Sequence, residues 1–393
     1  MKKKILIMAN NLDIGGVQKS LISLLQSIDY QHYEVDLVLR DQGALSEYLP
    51  SEVRIIEPPD YYEWIFLPKN PITTLVKSLG LNLNFLRVVF FMIKGLLSKN
   101  MGQSRQQLLQ SCMHTLQSFD GTYDAAIDYT GNFKALLLNK VRATRKISWL
   151  HSDYRVYGRD KDIDLKDYGQ IDTVVVVSET CYNIFVSEFP QYRDKCVVMP
   201  NISLKSQIQI MAMDRVDFDS DFSGAKILSI TRLDPNKGLE IAMKACKKLV
   251  CEGYDVKWYV LGDGPERERI EKMVHLYGLK DRFILLGFKV NPYPYIKQAD
   301  IIVHSSLFEG KSVAIDEAML LAKPIIVTNY PTAKDQIQDG FNGLICDIST
   351  DGLYDAVSLL LENTELRQRL SNNLLDYDIS AEQSMQIFEK LIG

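Results

Sequence analysis

The sequence predicts an α/β protein with two doubly wound sheets, and two observations carry this prediction. Short apolar runs typical of buried strands recur along the 393 residues and alternate with helical patterns. Such alternation is typical of parallel sheets whose faces are covered by the helices. The chain length and an apolar fraction of 46% suffice for two cores of this kind. We therefore expect two domains that face each other across a cleft between their sheet edges.

Composition excludes several classes of function. The net charge of −5 gives no bulk affinity for nucleic acid, so we expect no nucleic-acid partner. The six cysteines lack C-x-x-C spacing and the five histidines lack H-x-x-x-H spacing, which argues against a zinc site. A short apolar run at residues 5–8 precedes polar Asn10 and Asn11, which predicts a first strand rather than a signal peptide. We expect a cytoplasmic protein.

Residues 1–200 are predicted to form the first domain. Gly15 and Gly16 end the first loop and allow its backbone to approach a ligand closely at a helix start, although a tight turn is the alternative. The loop has no G-x-G-x-x-G pattern, which argues against a nicotinamide dinucleotide site. The predicted strands of this domain are 5–8, 35–39, 53–56, 125–129, 147–150, 174–177 and 197–199.

Residues 64–119 interrupt this pattern with a basic insertion. They contain no Asp or Glu, whereas Lys and Arg occur six times. The charges exclude a helix that spans a bilayer. The helix that we predict within the insertion fits either attachment to an anionic membrane surface or packing on its own domain, and its pattern does not distinguish the two. Its apolar face comprises Leu83, Leu86, Phe90, Ile93 and Leu97.

Two further features follow in the first domain. His151 comes directly after a predicted strand, at the carboxyl edge where open α/β sheets bind ligands, although a lone histidine is more often structural. Asp160, Asp162 and Asp164 alternate as in a cation-binding loop. We reject an EF-hand, because the required glycine and glutamate are missing from the later loop positions.

The second half of the chain repeats the alternation of strands and helices. Residues 201–223 are polar, irregular in pattern and rich in acids, so we interpret them as a linker. Residues 224–375 are predicted to form the second domain, and a last helical segment occupies residues 376–393. The predicted strands are 227–231, 256–261, 283–286, 301–303, 325–327 and 344–346.

The segment 307–324 carries the densest set of candidate site residues. It reads L-F-E-G-K-S-V-A-I-D-E-A-M-L-L-A-K-P between two apolar runs, which predicts a strand, loop, helix and strand. Backbone amides at the helix start, including those of Ser312 and Val313, would attract phosphate. Glu309 in the loop and Glu317 in the helix would bind the hydroxyls of a phosphate-bearing sugar. The alternative is a solvated loop acid and an ordinary helix acid.

A pair of cations follows the first strand of the second domain. Arg232 and Lys237 lie in T-R-L-D-P-N-K-G, at a loop that leaves the carboxyl edge of the sheet. Two cations there would neutralise a diphosphate. A solvated turn around Pro235 is the alternative.

Together these patterns resemble glycosyltransferase family 4, a family of retaining enzymes with the GT-B fold. E-G-K-S-V-A-I-D-E-A followed by K-P-I-I-V-T is similar to the E-x7-E element of that family. Lys311 and Ser312 replace the Phe and the second Gly that the family often has. The resemblance covers nearly the whole chain, since the motifs occur in the order G-G-V-Q-K, W-L-H-S-D, P-N, R-x4-K, G-D-G-P, E-x7-E and D-G-x-N-G.

The resemblance implies an architecture and roles for single residues. Two Rossmann-like domains would hold the acceptor in the first and the nucleotide sugar in the second, and the last helix would cross back onto the first. Glu309 and His151 would act on the donor sugar as the catalytic residues. The other site residues would bind the donor, with Glu317 at the ribose hydroxyls and the diphosphate near Gly16, Arg232, Lys237, Ser312 and Val313.

The predicted function is that of a retaining hexosyltransferase. It would move a sugar from a UDP- or GDP-linked donor to a saccharide or lipid-linked acceptor in bacterial envelope or capsule polysaccharide synthesis. The protein would be cytoplasmic, either free or peripheral on the inner face of the plasma membrane. Cations and a helix dipole would neutralise the diphosphate, so we expect no metal or other cofactor. A catalytically silent sugar-nucleotide-binding protein of the same fold is the alternative.

Overall fold

The computed structural model describes residues 2–13, 15–57, 90–91, 93–94, 97–98, 100–378 and 381–393. It contains two compact units, each built on one parallel sheet. The first unit comprises Met1–Pro200 and Glu382–Gly393, and the second comprises Asn201–Ala381. The prediction of two parallel-sheet α/β domains is confirmed.

The first unit has a seven-stranded sheet in the order β3-β2-β1-β4-β5-β6-β7. Ile5 of the first strand in the chain pairs with Val35 on one side and with Ala125 on the other. The central strands are apolar and buried on both faces, as expected of a parallel sheet covered by helices. The strands are β1 Lys3–Asn11, β2 Tyr33–Asp41, β3 Arg54–Ile56, β4 Tyr123–Asp128, β5 Ala143–Leu150, β6 Thr173–Val176 and β7 Cys196–Val198.

Polar side chains cap the starts of several helices in the first unit. The Asp160 carboxylate accepts hydrogen bonds from the amides of Asp162 and Ile163. The first of the three alternating aspartates is therefore the cap of a helix. Ser178 caps the next helix by accepting from the Cys181 amide. The helices are α1 Gly16–Ser27, α2 Met101–Cys112, α3 Lys134–Lys140, α4 Lys161–Gln170 and α5 Glu179–Glu188.

Helix α2 is joined to α4 by side-chain amides that donate to carboxylates. The donors are glutamines that belong to the basic insertion, residues 64–119, which contains no acid, and they pair with aspartates that follow it in the sequence. Side-chain hydrogen bonds of this kind hold α2 against the unit despite its weak apolar face. The pairs are Gln103–Asp160 at 3.1 Å, Gln107–Asp160 at 2.7 Å, Gln106–Asp164 at 2.7 Å and Gln110–Asp167 at 3.4 Å.

The predicted amphipathic helix is only partly within the described residues. Leu83 and Leu86 lie outside them. Residues 90–91, 93–94 and 97–98 are helical, and the exposed fractions are 60% for Phe90, 52% for Ile93 and 80% for Leu97. In the part of the chain that the structure describes, no helix is long and apolar enough to cross a bilayer.

The second unit has a six-stranded parallel sheet in the order β10-β9-β8-β11-β12-β13. Its strands are β8 Ala225–Ile230, β9 Val256–Leu261, β10 Phe283–Gly287, β11 Ile301–His304, β12 Ile325–Thr328 and β13 Leu344–Cys346. Its helices are α6 Lys205–Met211, α7 Leu239–Cys251, α8 Arg267–Leu276, α9 Tyr293–Gln298, α10 Val313–Leu320, α11 Thr350–Glu362 and α12 Thr364–Asn372.

The segment 201–223 differs from the predicted irregular linker. It contains helix α6, and the Phe218 ring, 2% exposed, packs with Tyr259 and Tyr295 in the core of the second unit. Isolated apolar residues in a polar segment carry no periodic signal, which is why the sequence pattern missed this packing.

Helix α13, Ala381–Ile392, packs on the first unit, to which Glu382–Gly393 belongs. Arg145 of β5 donates to the carbonyl oxygens of Lys390 and Leu391, at 2.9 and 3.1 Å. A cation at a helix C-terminus satisfies carbonyl groups that have no partner within the helix.

Candidate functional site

Two loops meet at the carboxyl edge of the second sheet because β8 and β11 are neighbours. The Leu307 amide donates to the Asn236 carbonyl at 2.8 Å, and the Ser305 hydroxyl donates to the Lys237 carbonyl at 2.8 Å. Gly238 has a φ of +61°, and a Cβ there would lie 2.0 Å from the Ser305 carbonyl oxygen. Only glycine permits this approach. The sheet order thus brings together two motifs that are far apart in the sequence.

Glu309 is the centre of this meeting point. One carboxylate oxygen, Oε1, accepts from His304 Nε2 at 2.8 Å and from the Ser306 hydroxyl at 3.0 Å, and it also forms an ion pair with Lys237. Burial alone would raise the pKa of Glu309, but the ammonium and the imidazole outweigh it and hold the pKa at about 2. The carboxylate is therefore ionised and fixed in orientation, as a group that binds sugar hydroxyls must be.

Sequence reasoning missed His304, the last residue of β11. Its side chain is 6% exposed and lies against the edge of the Tyr330 ring. The only signal in the sequence is its place at the carboxyl end of a buried strand, the same criterion that selected His151. His304 positions Glu309 rather than facing solvent.

Arg232 and Lys237 do not form a single cluster of cations. Lys237 pairs with Glu309, whereas Arg232 Nε lies 2.8 Å from a carboxylate oxygen of Asp234. The Arg232 side chain is 66% exposed, so its remaining donors can reach a ligand in solution. The predicted phosphate contacts of both residues remain predictions.

At the start of helix α10, the backbone amide of Ser312 already has a hydrogen-bond partner, contrary to the prediction. We expected unpaired amides there, but the Ser312 amide donates to Gln336 Oε1 at 2.8 Å. Gln336 also donates from Nε2 to the Ser312 carbonyl at 2.9 Å. The amide of Ser312 is thus already bonded within the unit, and Val313 beside it is buried. Gln336 lies 24 residues away in the chain, so no local pattern could reveal this pairing.

Glu317 and its neighbour Asp316 lie inside the unit. Glu317 is 2% exposed and accepts from the Tyr293 hydroxyl at 3.0 Å, because α10 is buried along almost its whole length. A ribose contact of Glu317 therefore remains a prediction. Lys311, which departs from the resembled motif, lies 3.4 Å from the buried Asp316 carboxylate. Burial raises the pKa of Asp316, and Lys311 opposes that rise.

The two candidates of the first unit also lie at the carboxyl edge of their sheet. Gly16 is the exposed first residue of α1, so its backbone is open to a ligand. His151 follows β5, and its Nε2 lies 2.8 Å from the Tyr129 carbonyl oxygen. A carbonyl only accepts, so this bond assigns the ring proton to Nε2. The imidazole stacks on Trp149 at 6.1 Å between ring centres. Its approach to a donor sugar remains a prediction.

Among the residues that the structure describes, no group of three or more His, Cys, Asp or Glu side chains is placed to hold a metal ion. That the protein works without metal stays a prediction.

Comparison with known proteins agrees with this geometry. The family model described as "Glycosyl transferases group 1" matches residues 214–375. An alpha-D-kanosaminyltransferase of Streptomyces kanamyceticus is 30% identical over 150 residues, a match that spans 37% of this chain and only 39% of the relative.

Two other similarities extend over the chain. The N-acetylgalactosamine-N,N'-diacetylbacillosaminyl-diphospho-undecaprenol 4-alpha-N-acetylgalactosaminyltransferase of Campylobacter jejuni is 22% identical over 94% of this chain and 93% of its own length. The crystal structure of Anabaena HepE in complex with UDP and glucose has a TM-score of 0.69 at 17% identity and covers 99% of each chain. The second unit therefore carries a region that matches the glycosyl transferases group 1 domain, and the chain has the GT-B fold.

Proposed function

We propose that this protein is a glycosyltransferase, namely a retaining hexosyltransferase that uses a UDP-linked sugar and acts in bacterial surface polysaccharide synthesis. The observation that carries the proposal is the Lys237–Glu309 pair, held by His304 at the carboxyl edge of the second sheet. It supplies a cation for a departing diphosphate and a fixed carboxylate for sugar hydroxyls. The UDP and glucose of the HepE complex favour uridine over guanosine.

In the proposed reaction, the bond between the sugar C1 and the diphosphate oxygen breaks while a new bond forms from C1 to an acceptor hydroxyl oxygen. Both bonds lie on the same face of the sugar ring, so the anomeric configuration is retained. The hydroxyl proton passes to the departing diphosphate. Lys237 and Arg232 stabilise the negative charge that develops on that group, and Glu309 orients the sugar.

Hydrolysis of nucleotide sugars by the purified protein tests this proposal. We expect slow release of UDP from one UDP-sugar, with a product whose first-formed anomer has the configuration of the donor. GDP- and ADP-sugars serve as matched controls. Binding of a UDP-sugar without turnover, with or without a saccharide acceptor, would instead support the silent binding protein.

Metal dependence gives a separate prediction. Because Lys237 and Arg232 are available to neutralise the diphosphate, we expect the rate of UDP release to be unchanged in excess EDTA. The measurement is the release rate before and after chelation, with magnesium or manganese added back. Loss of activity that either ion restores would contradict the prediction.

We further propose that the acceptor is linked to a lipid and that the first unit attaches to an anionic membrane surface. The C. jejuni relative is named for an undecaprenol-linked acceptor. Phe90, Ile93 and Leu97 follow helical spacing and are exposed on this chain, and Lys94 lies beside them. Apolar side chains that enter the interface beside a cation are typical of reversible membrane attachment.

Vesicle binding measures this attachment. We expect the protein to sediment with anionic vesicles at low salt, to be released as salt rises, and to lose binding in Leu97→Asp. Leu276→Asp is the matched control, because Leu276 is 78% exposed on α8 of the other unit. Absence of wild-type binding at low salt, or equal loss in both variants, would favour the alternative in which the helix packs on protein.

A further inference from the structure

A cavity of about 270 Å³ lies at the carboxyl edge of the first sheet, entirely within the first unit. We call it the first-unit cavity. Asn10 at the end of β1 and Arg40 at the end of β2 form one side, the loop after β4 forms the floor, and α2 covers it. Ligand pockets usually measure about 300–1,000 Å³, so the cavity suits one charged group with an adjoining sugar rather than a whole nucleotide sugar.

Most of the charged side chains that line the first-unit cavity are basic. Arg40, Arg105, Lys134 and Arg159 line the cavity together with a single acid, Asp167. Burial raises the pKa of Asp167 to about 6, so this carboxylate takes up a proton more readily than an exposed aspartate does. In a chain with a net charge of −5, such a concentration of cations is a local exception that points to an anionic ligand.

Ion pairs within the unit account for Lys134 and for one donor of Arg40, whose Nε lies 2.7 Å from an Asp41 carboxylate oxygen, but not for Arg105. Lys134 Nζ lies 2.8 Å from an oxygen of buried Asp164, so this pair is complete within the unit. Buried Asp164 and Asp128 help to raise the pKa of Arg159, and burial raises the pKa of Asp128 itself to about 6. Arg105 is exposed and forms no ion pair with any residue in the described ranges.

Arg159 gives the strongest indication that the first-unit cavity binds a ligand. Its Nη2 donates to the Asn132 side-chain oxygen at 3.2 Å, and its guanidinium lies 4.5 Å above the Tyr157 ring. Its Nη1 is shielded from solvent and has no hydrogen-bond partner within the described residues. A buried guanidinium donor without a partner costs free energy unless a ligand accepts from it. Gly131 makes room for this group, because a Cβ there would lie 3.1 Å from Nη2.

Helix α2 is fixed over the cavity by close backbone packing. A Cβ on Gly102 would lie 2.7 Å from the Tyr157 carbonyl oxygen, so glycine lets α2 approach this turn. Gln106 then bonds to Asp164, which places Arg105 at the rim. Arg40 and Arg105 thus lie on β2 and α2, whereas Arg159 lies in the turn before α4 and is held by Asn132 and Tyr157.

We propose that the first-unit cavity binds a phosphate or diphosphate group carried by the acceptor, an inference that rests on the proposed transferase function. Beyond the contacts described above, the three guanidinium groups carry further N–H donors, and their planar forks match phosphate oxygens. The phosphate belongs either to a lipid-linked saccharide or to a soluble sugar phosphate. Anchoring it would hold the acceptor at the carboxyl edge of the first sheet.

Calorimetric titration with inorganic pyrophosphate tests the site, with UDP present at saturation to occupy the nucleotide site. We expect binding by the wild type and a loss of affinity of roughly tenfold or more in Arg105→Glu, because a charge-assisted contact is replaced by repulsion. Arg142→Glu is the matched control, since Arg142 is exposed just before β5, at the opposite edge of the sheet. Thermal melting confirms that both variants fold.

The outcomes separate this inference from the proposed function. Donor hydrolysis by the wild type without Arg105-dependent pyrophosphate binding overturns the inference and leaves the transferase proposal standing. Arg105-dependent binding without donor hydrolysis supports the anion site and counts against the transferase. Competition identifies the source: displacement of pyrophosphate by a polyprenyl diphosphate in detergent supports a lipid-linked acceptor, and displacement by a hexose 1-phosphate supports a soluble one. Displacement by neither overturns the inference.

Discussion

Glu309→Ala is expected to lower kcat by roughly two to three orders of magnitude while the protein stays folded. The Glu309 carboxylate is held by Lys237, His304 and Ser306, so it meets the donor without reorganisation. A group fixed in this way contributes more to the transition state than to ground-state binding. The measurement is UDP release at saturating donor, with melting temperature as the check on folding.

A matched control shows whether the fall in kcat is specific to Glu309 or follows the loss of any acidic side chain from this unit. Glu268, an exposed acid on α8 of the same unit, should be replaceable by alanine without change in kcat. Glu309→Gln keeps the shape but removes the charge that Lys237 and His304 face, so its kcat should fall as well. If Glu309→Ala retained near-wild-type turnover at saturating donor, the role assigned to the carboxylate would be wrong.

Lys134→Met should produce the largest loss of stability, about 3–5 kcal/mol. Lys134 and Asp164 are 4% and 0% exposed, and their charged atoms lie 2.8 Å apart. Removing the ammonium leaves the Asp164 carboxylate buried without its cation, although the Tyr154 hydroxyl and the Gln106 amide still donate to it. Urea unfolding measures the change in free energy.

An exposed pair on the same unit provides the comparison. Lys161 and Glu188 lie 2.7 Å apart, with side chains 56% and 26% exposed, so Lys161→Met should cost about 1 kcal/mol or less. Adding Asp164→Asn to Lys134→Met should recover part of the loss, because no uncompensated charge then remains. Equal effects of the two lysine substitutions would contradict the account of the buried pair.

Local pattern in the sequence predicted the fold class and the two loops of the candidate site, although it missed His304. Apolar runs of strand length separated by helical patterns predicted both parallel sheets, because buried strands lose the alternation of half-exposed ones. Spacing and glycine positions likewise picked out the loops of Lys237 and Glu309. These signals are local, since each depends on residues a few positions apart.

The tertiary structure decided which candidates meet and which are already engaged. Lys237 reaches Glu309 across 72 residues only because β8 and β11 are neighbours in the sheet, and strand order is a global property of the fold. Gln336 takes the Ser312 amide for the same reason, from a loop beyond the next strand. The arginines of the first-unit cavity are scattered between residues 40 and 159. Their charges concentrate at one place because parallel strands present all their carboxyl ends at a single edge of the sheet.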